Sequence, residues 1–319
     1  NKLVMYINAT GYYIPEKRIP NEYFTQLNGL TDEWIEQRTG IKNRSRASDK
    51  ETLDYMSNMA VMSALSRLPY NISEVDLIIF ASYTLSDTIA TTGHFIQREY
   101  NICDAKVFHV SSACSSAINA MEIIQTFFQS QVASKALMVC ADRNSTYSDD
   151  SDCVSGHLWG DGATAFFFSS HSYTEKDHQV LDIMTQGLGH ISKGPEGVHL
   201  DPKNGGLQMP FGKDVFMQAC TYIAQNTRDI MEWNGRSTQD LSYFIGHQAN
   251  MRILKNVAKQ LEMPENKILT NIEDLGNTGS ASSMLVFAQN EERFKAEDLI
   301  CISVFGGGYS AGACLIKAS

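Results

Sequence analysis

The sequence contains no apolar stretch long enough to cross a bilayer as a helix, and its opening Asn1-Lys2-Leu3 does not begin a signal-peptide pattern. The reading is therefore of a soluble protein with no membrane partner, and the start without Met reads as a processed one. It also lacks any basic cluster: the formal net charge is −10, which argues against nucleic acid as a partner. The seven cysteines are an odd number without CxxC or Cys/His ligand spacing. That excludes a metal site of zinc-finger type and a disulfide framework, and points to reduced thiols in a cytoplasmic setting. No low-complexity linker interrupts the chain, whose most polar break falls at residues 171–178. What is there is ordinary: 319 residues, 43% hydrophobic and 19% charged, enough to bury a large core.

Strand and helix patterns alternate, which predicts an α/β architecture. Buried-strand patterns occupy residues 77–81, 136–141, 165–168, 241–245 and 299–305, and residues 106–110 read as a short strand. Helical spacing covers residues 53–68, 115–129, 215–233, 251–261 and 280–294. A faint internal echo links the two sides of the polar break. Asp76-Leu77 with Phe80 is matched by Asp240-Leu241 with Phe244, and the strand entries at 135–141 and 298–305 each follow a helix.

Cys114 stands out because of its setting. A strand-like run, Lys106 to Val110, gives way to Ser111-Ser112-Ala113-Cys114-Ser115-Ser116, and then Ala117, Ala120, Met121, Ile124 and Phe128 recur at helical spacing. A thiol at such a junction lies near the first N–H groups of a helix, whose roughly half positive charge would favour thiolate. The competing reading is a small buried hydrophobe. Two further segments favour chemistry. Strand 241–245 ends in Gly246-His247-Gln248-Ala249-Asn250, and Leu275-Gly276-Asn277-Thr278-Gly279 is a tight polar turn opening a helix. Cysteine, histidine and asparagine on loops leaving buried strands form a candidate nucleophile constellation. Papain-like proteases combine the same residue types, so the three letters alone leave the reaction open.

The surrounding motifs are more specific. Ser112-Ala113-Cys114, Gly246 to Asn250, Gly276-Asn277-Thr278 and Phe305-Gly306-Gly307-Gly308 resemble those of the β-ketoacyl-acyl carrier protein synthase III family. So do Asp32-Glu33-Trp34-Ile35, Arg38-Thr39-Gly40-Ile41 and Gly160-Asp161-Gly162-Ala163, in order along nearly the whole chain. The resemblance implies a thiolase fold: five layers, αβαβα, in two pseudo-symmetric halves, here residues 1–171 with the cysteine and 172–319 with the histidine and asparagine.

It also implies a reaction, a decarboxylating Claisen condensation that initiates type II fatty acid synthesis. Cys114 would take an acyl group from an acyl-CoA, and malonyl-acyl carrier protein would lose CO₂ and attack it. Catalytic roles fall to Cys114, His247 and Asn277, with the backbone N–H groups of Cys114 and Gly307 as oxyanion hole. Asparagine cannot act as a base near neutral pH, so its presence suits enolate stabilisation better than hydrolysis. By the same resemblance, Trp34, Arg38, Asn250 and Arg252 contact coenzyme A, which is a substrate rather than a permanently bound cofactor. Ile89, Trp159, Met209 and Phe305 line the acyl pocket, Ile89 from across the interface of a homodimer whose strand 107–111 pairs with its twofold mate.

Two departures leave the substrate open. Cys153 stands where the family commonly has a second adenine-stacking arginine. Trp159 replaces a usual Phe while Ile89 replaces a larger aromatic, with opposed effects on pocket length. The alternatives are an acyltransferase or condensing enzyme of a secondary-metabolite pathway with a different donor or acceptor, and a silent subunit that binds acyl carrier protein. The intact Cys114, His247 and Asn277 argue against the silent subunit.

Overall fold

The computed structural model describes residues 3–319; the first two residues, part of the opening without a signal-peptide pattern, lie outside the described residues. The N-terminal part runs β1 (Met5–Tyr13), β2 (Arg18–Pro20), α1 (Asn21–Asn28), α2 (Asp32–Thr39), β3 (Asn43–Ser45), α3 (Leu53–Ala64), β4 (Leu77–Ala81) and α4 (Thr92–Glu99). It continues with β5 (Lys106–Val110), α5 (Ser116–Gln129), β6 (Lys135–Arg143) and β7 (Asp161–Ser169). The remainder is β8 (His178–Gly187), β9 (His199–Asp201), β10 (Gly206–Gln208), α6 (Gly212–Trp233), β11 (Tyr243–Gly246), α7 (Met251–Gln260), α8 (Ile272–Leu275), α9 (Ser282–Asn290), β12 (Leu299–Gly306) and β13 (Ser310–Lys317).

Nine strands form one sheet in the order β11-β12-β13-β8-β1-β7-β6-β4-β5. Its two ends mirror each other. On one side β4 lies parallel to both β6 and the edge strand β5. On the other β11 lies parallel to β12, with a single parallel bridge from Phe244 to Ile268 where a fifth strand would stand. The paired echoes in the sequence thus sit at equivalent places: β4 with β11, and β6 with β12. The halves meet where β1 pairs β8 over Met5, Tyr6 and Ile7.

Burial on both faces explains the continuous apolar runs. Along β4, Leu77, Ile79 and Ala81 face one core while Ile78 and Phe80 face another. The first core is the middle layer, where Ile118, Met121 and Ile124 of α5 and Met284 and Phe287 of α9 fill the space between the half-sheets. Met56, Ala60 and Val61 of α3 and Ile96 of α4 cover the outside of the N-terminal half. Val215, Ala219 and Ile223 of α6 and Ile253 and Val257 of α7 cover the C-terminal half. The result is the five-layered thiolase fold. Gly11 lets α3 sit this close, since a Cβ there would lie 2.2 Å from the Ala60 carbonyl oxygen.

Candidate active site

The helices of the middle layer begin at the site. Cys114 lies two residues ahead of α5, and Asn277 lies five ahead of α9. His247 follows β11 directly, so residues far apart in sequence arrive at one point because equivalent loops of the two halves face each other. All three line one cavity of about 290 Å³.

The turn carrying the thiol is strained. Ala113 adopts a left-handed conformation, φ +48°, which an L-residue with a Cβ rarely takes. Serines hold it there. Ser116 Oγ donates to the Ala113 carbonyl at 2.6 Å and accepts from the Ser112 N–H at 2.8 Å, while Ser280 Oγ donates to the same carbonyl at 3.2 Å. Ser115 Oγ bonds Ser310 Oγ at 2.8 Å, tying the elbow to the start of β13.

The sequence predicts a thiol favoured as thiolate by the helix end; the structure reverses this. Burial, and then the carboxylate of Asp142, push the Cys114 thiol up, opposed only by a hydrogen bond from Asn277. Asp142 is itself wholly buried. It accepts from Ser82 Oγ, Thr84 Oγ1, the Tyr83 N–H and the Ser280 N–H at 2.7–3.0 Å. Burial nonetheless raises its carboxyl against those donors.

Asn277 is fixed at three of its polar atoms. Its N–H donates to the Leu158 carbonyl at 2.8 Å, and its carbonyl accepts from Gly160 N–H at 2.9 Å and Asn144 Nδ2 at 3.0 Å. Its Oδ1 accepts from the Gly279 N–H at 3.0 Å, which turns Nδ2 toward the thiol. His247 is held through its neighbour: Gln248 Oε1 accepts from the Asn271 N–H at 3.0 Å, and the Gln248 N–H donates to Ser282 Oγ at 2.9 Å. Burial lowers the His247 imidazole to about 4, and its Nδ1 has no partner among the described residues. The ring is therefore neutral at neutral pH, with no carboxylate behind it to make it a strong base.

The glycine turn after β12 closes the site. A Cβ on Gly306 would lie 2.7 Å from the Cys114 nitrogen; one on Gly307 would lie 3.1 Å from Val198 Cβ. Gly306, which the motif reading did not single out, is thus the residue pressed directly against the cysteine. Neither the Cys114 nor the Gly307 N–H has a protein acceptor among the described residues, and both residues line the cavity.

Trp159, Met209 and Phe305 line the cavity. Ile89 does not line its own chain's cavity; it stands 87% exposed on the loop after β4. Arg44, wholly buried, donates twice to the His157 carbonyl at 2.7 and 3.0 Å and once to Ile19, fixing the segment that presents Trp159. Burial lowers its guanidinium to about 9.

Packing of α2 against α7 collects the other expected contacts. Gly40 makes this possible, since a Cβ there would meet Met251 at 2.5 Å. The Arg38 guanidinium lies 4.9 Å over the Trp34 ring, and His157 meets that ring edge-on at 5.8 Å. Arg252 stacks on Phe216 at 5.5 Å. Asn250 spends its Oδ1 as the cap of α7, accepting from the Arg252 N–H at 2.8 Å. Sequence reasoning missed Tyr83, the β9–β10 hairpin residues Val198, Leu200 and Leu207, and the α6 stripe Val215-Ala219-Ile223, all of which line the cavity. The stripe's spacing was visible but reads equally as core.

Comparison with known proteins identifies the family. The family described as 3-oxoacyl-[acyl-carrier-protein] synthase III matches residues 108–188, and its C-terminal counterpart matches residues 231–318. The β-ketoacyl-[acyl-carrier-protein] synthase III of Aquifex aeolicus is 32% identical, over 98% of both chains. The chain belongs to the β-ketoacyl-acyl carrier protein synthase III family. It is accordingly a condensing enzyme of the acyltransferase class. The crystal structure of the Aquifex aeolicus VF5 family member superimposes with a TM-score of 0.91 at 31% identity, covering 98% of this chain and 99% of that one. The priming β-ketosynthase of the R1128 polyketide pathway is also similar, with a TM-score of 0.90 at 26% identity over 100% and 98% of the chains.

Proposed function

We propose that this chain condenses an acyl-CoA primer with malonyl-acyl carrier protein, through an acyl-cysteine, to give a β-ketoacyl-acyl carrier protein and CO₂. The Cys114 sulfur attacks the CoA thioester carbonyl, and its proton passes to the departing CoA sulfur. The Cys114 and Gly307 N–H groups, which lack protein acceptors, are placed to receive the developing oxyanion. Malonyl-acyl carrier protein then breaks its bond to CO₂, and the electron pair enters the thioester as an enolate. His247 and Asn277 donate to that oxygen. The carbanion attacks the acyl-cysteine, and sulfur leaves as thiolate, which takes a proton from water to restore the thiol.

One observation carries the reading: a neutral, buried imidazole and an amide locked with Nδ2 inward face the same thiol. Two neutral donors suit an enolate; a hydrolase would need a base to activate water. Trp34, Arg38, Asn250 and Arg252 are the proposed contacts for coenzyme A, which acts as a substrate carrier and is not retained. Arg38, lying on the Trp34 ring, must yield that face or leave the other to the adenine.

The working unit in this reading is a cytoplasmic homodimer of chains divided into residues 1–171 and 172–319. Edge strand β5, with Phe108 44% exposed, supports pairing with a second copy, and the exposed Ile89 supports a contribution in trans. Mass spectrometry after incubation with acyl-CoA, followed by CO₂ release from labelled malonyl-acyl carrier protein, tests the function. Both signals are expected. Acylation without CO₂ release would favour a plain acyltransferase.

A further inference from the structure

The cavity that holds Cys114 is also lined by Tyr83, a side chain that neither the motifs nor the mechanism uses. Tyr83 follows β4, and its phenol O–H donates to Asn144 Oδ1 at 2.7 Å. Asn144 is wholly buried, and its Nδ2 donates to the Gly160 carbonyl at 2.9 Å and the Asn277 carbonyl at 3.0 Å. The Tyr83 N–H is held by Asp142 Oδ1 at 3.0 Å. Gly279, at φ +64°, makes room for the phenol: a Cβ there would lie 2.6 Å from Tyr83 Oη and 2.4 Å from Asp142 Oδ2.

We propose that Tyr83, with Trp159 beside it, forms the floor of the acyl pocket and restricts the primer to short acyl groups such as acetyl or propionyl. The inference rests on the proposed acylation of Cys114. Trp159 is 3% exposed, and its backbone bridges Asn277, so this wall cannot retreat without moving the amide. Beyond Tyr83 stand Asp142 and Asn144, both buried and polar. A longer acyl chain would have to break the phenol–Asn144 bond and leave buried polar atoms facing methylene groups, which is unfavourable on both counts. Much of the remaining lining is apolar, with Val215, Ala219 and Ile253 among it. The opposed changes at Ile89 and Trp159 therefore do not decide primer length by themselves; Tyr83 completes the floor beside Trp159.

The test measures acyl-enzyme formation by mass spectrometry with acetyl-, butyryl-, hexanoyl- and octanoyl-CoA. The wild type should react with acetyl-CoA at least about tenfold faster than with hexanoyl-CoA. Tyr83→Ala should shift that ratio toward hexanoyl by about tenfold or more, while Tyr83→Phe, which keeps the bulk, should retain the short-chain preference. Equal reaction of the wild type with acetyl- and octanoyl-CoA would overturn the inference while leaving the condensing function standing, and needs no variant to fold. An unchanged ratio in folded Tyr83→Ala would overturn it too. Failure of every acyl-CoA to label Cys114 would overturn the functional reading, and this inference with it.

Discussion

Asn277 and Gly279 hold each other in one turn: the Gly279 N–H donates to Asn277 Oδ1 at 3.0 Å, so the amide cannot flip. A preorganised donor is the kind of group that stabilises an enolate without rearranging. Asn277→Ala should therefore cost about 10²–10³ in CO₂ release from malonyl-acyl carrier protein. Acylation of Cys114 uses the separate backbone donors and should fall far less. Equal loss in both steps would show that the asparagine is only structural.

Alkylation kinetics check the protonation of Cys114. Burial and Asp142 push the thiol up, so little thiolate exists near neutral pH. The rate of iodoacetamide labelling should rise about tenfold per pH unit through the neutral and mildly alkaline range, without levelling. A plateau near neutrality would mean that the helix end prevails after all.

The pH dependence of stability follows from two imidazoles. Burial lowers His247 and His157 from 6.5 to about 4, with Arg44 adding to the effect on His157. Between those values the unfolded chain binds protons that the folded chain refuses. Their contribution is intact above 6.5 and is lost as pH falls toward 4. Asp142 and Asp161, raised by burial, act in the opposite sense. The melting temperature should fall as pH drops from neutrality to about 4.5, and His157→Gln should flatten that fall. Because His247 stays neutral, decarboxylation should show no inflection at the ordinary histidine value of 6.5.

Gly306→Ala tests the close approach of the last turn. Its Cβ would lie 2.7 Å from a backbone nitrogen, that of Cys114, and neither chain can give way cheaply. Loss of acylation together with a lowered melting temperature is expected. A variant with normal acyl-enzyme formation would show that the two turns can separate.

Legibility in the sequence tracked burial. β4 was read to the residue because both its faces are apolar, and α5 to within one residue because its buried stripe is unbroken. β1 and β13 were not read, since their Asn, Thr, Gly and Ala residues give neither period clearly. α2 is short and polar on most sides, and only its Thr31 cap, accepting from the Trp34 N–H, marks its start. The reacting trio was visible through its motifs. Tyr83 was not, because nothing local says which residue after a strand turns inward. The opposing pull on the thiol was not legible for a related reason: the nearby charge is Asp142, distant in sequence.

The nine-stranded sheet has a mechanical consequence. Cys114 belongs to one half and His247 and Asn277 to the other, so the proposed reacting groups meet across a seam. Misplacement by about 1 Å can cost two orders of magnitude in rate, and sliding one half past the other could do that without unfolding either. The bonds from Asn277 to Leu158, Gly160 and Asn144, and from Ser280 to Asp142 and Ala113, cross that seam and act as the clamp that holds the amide against the thiol.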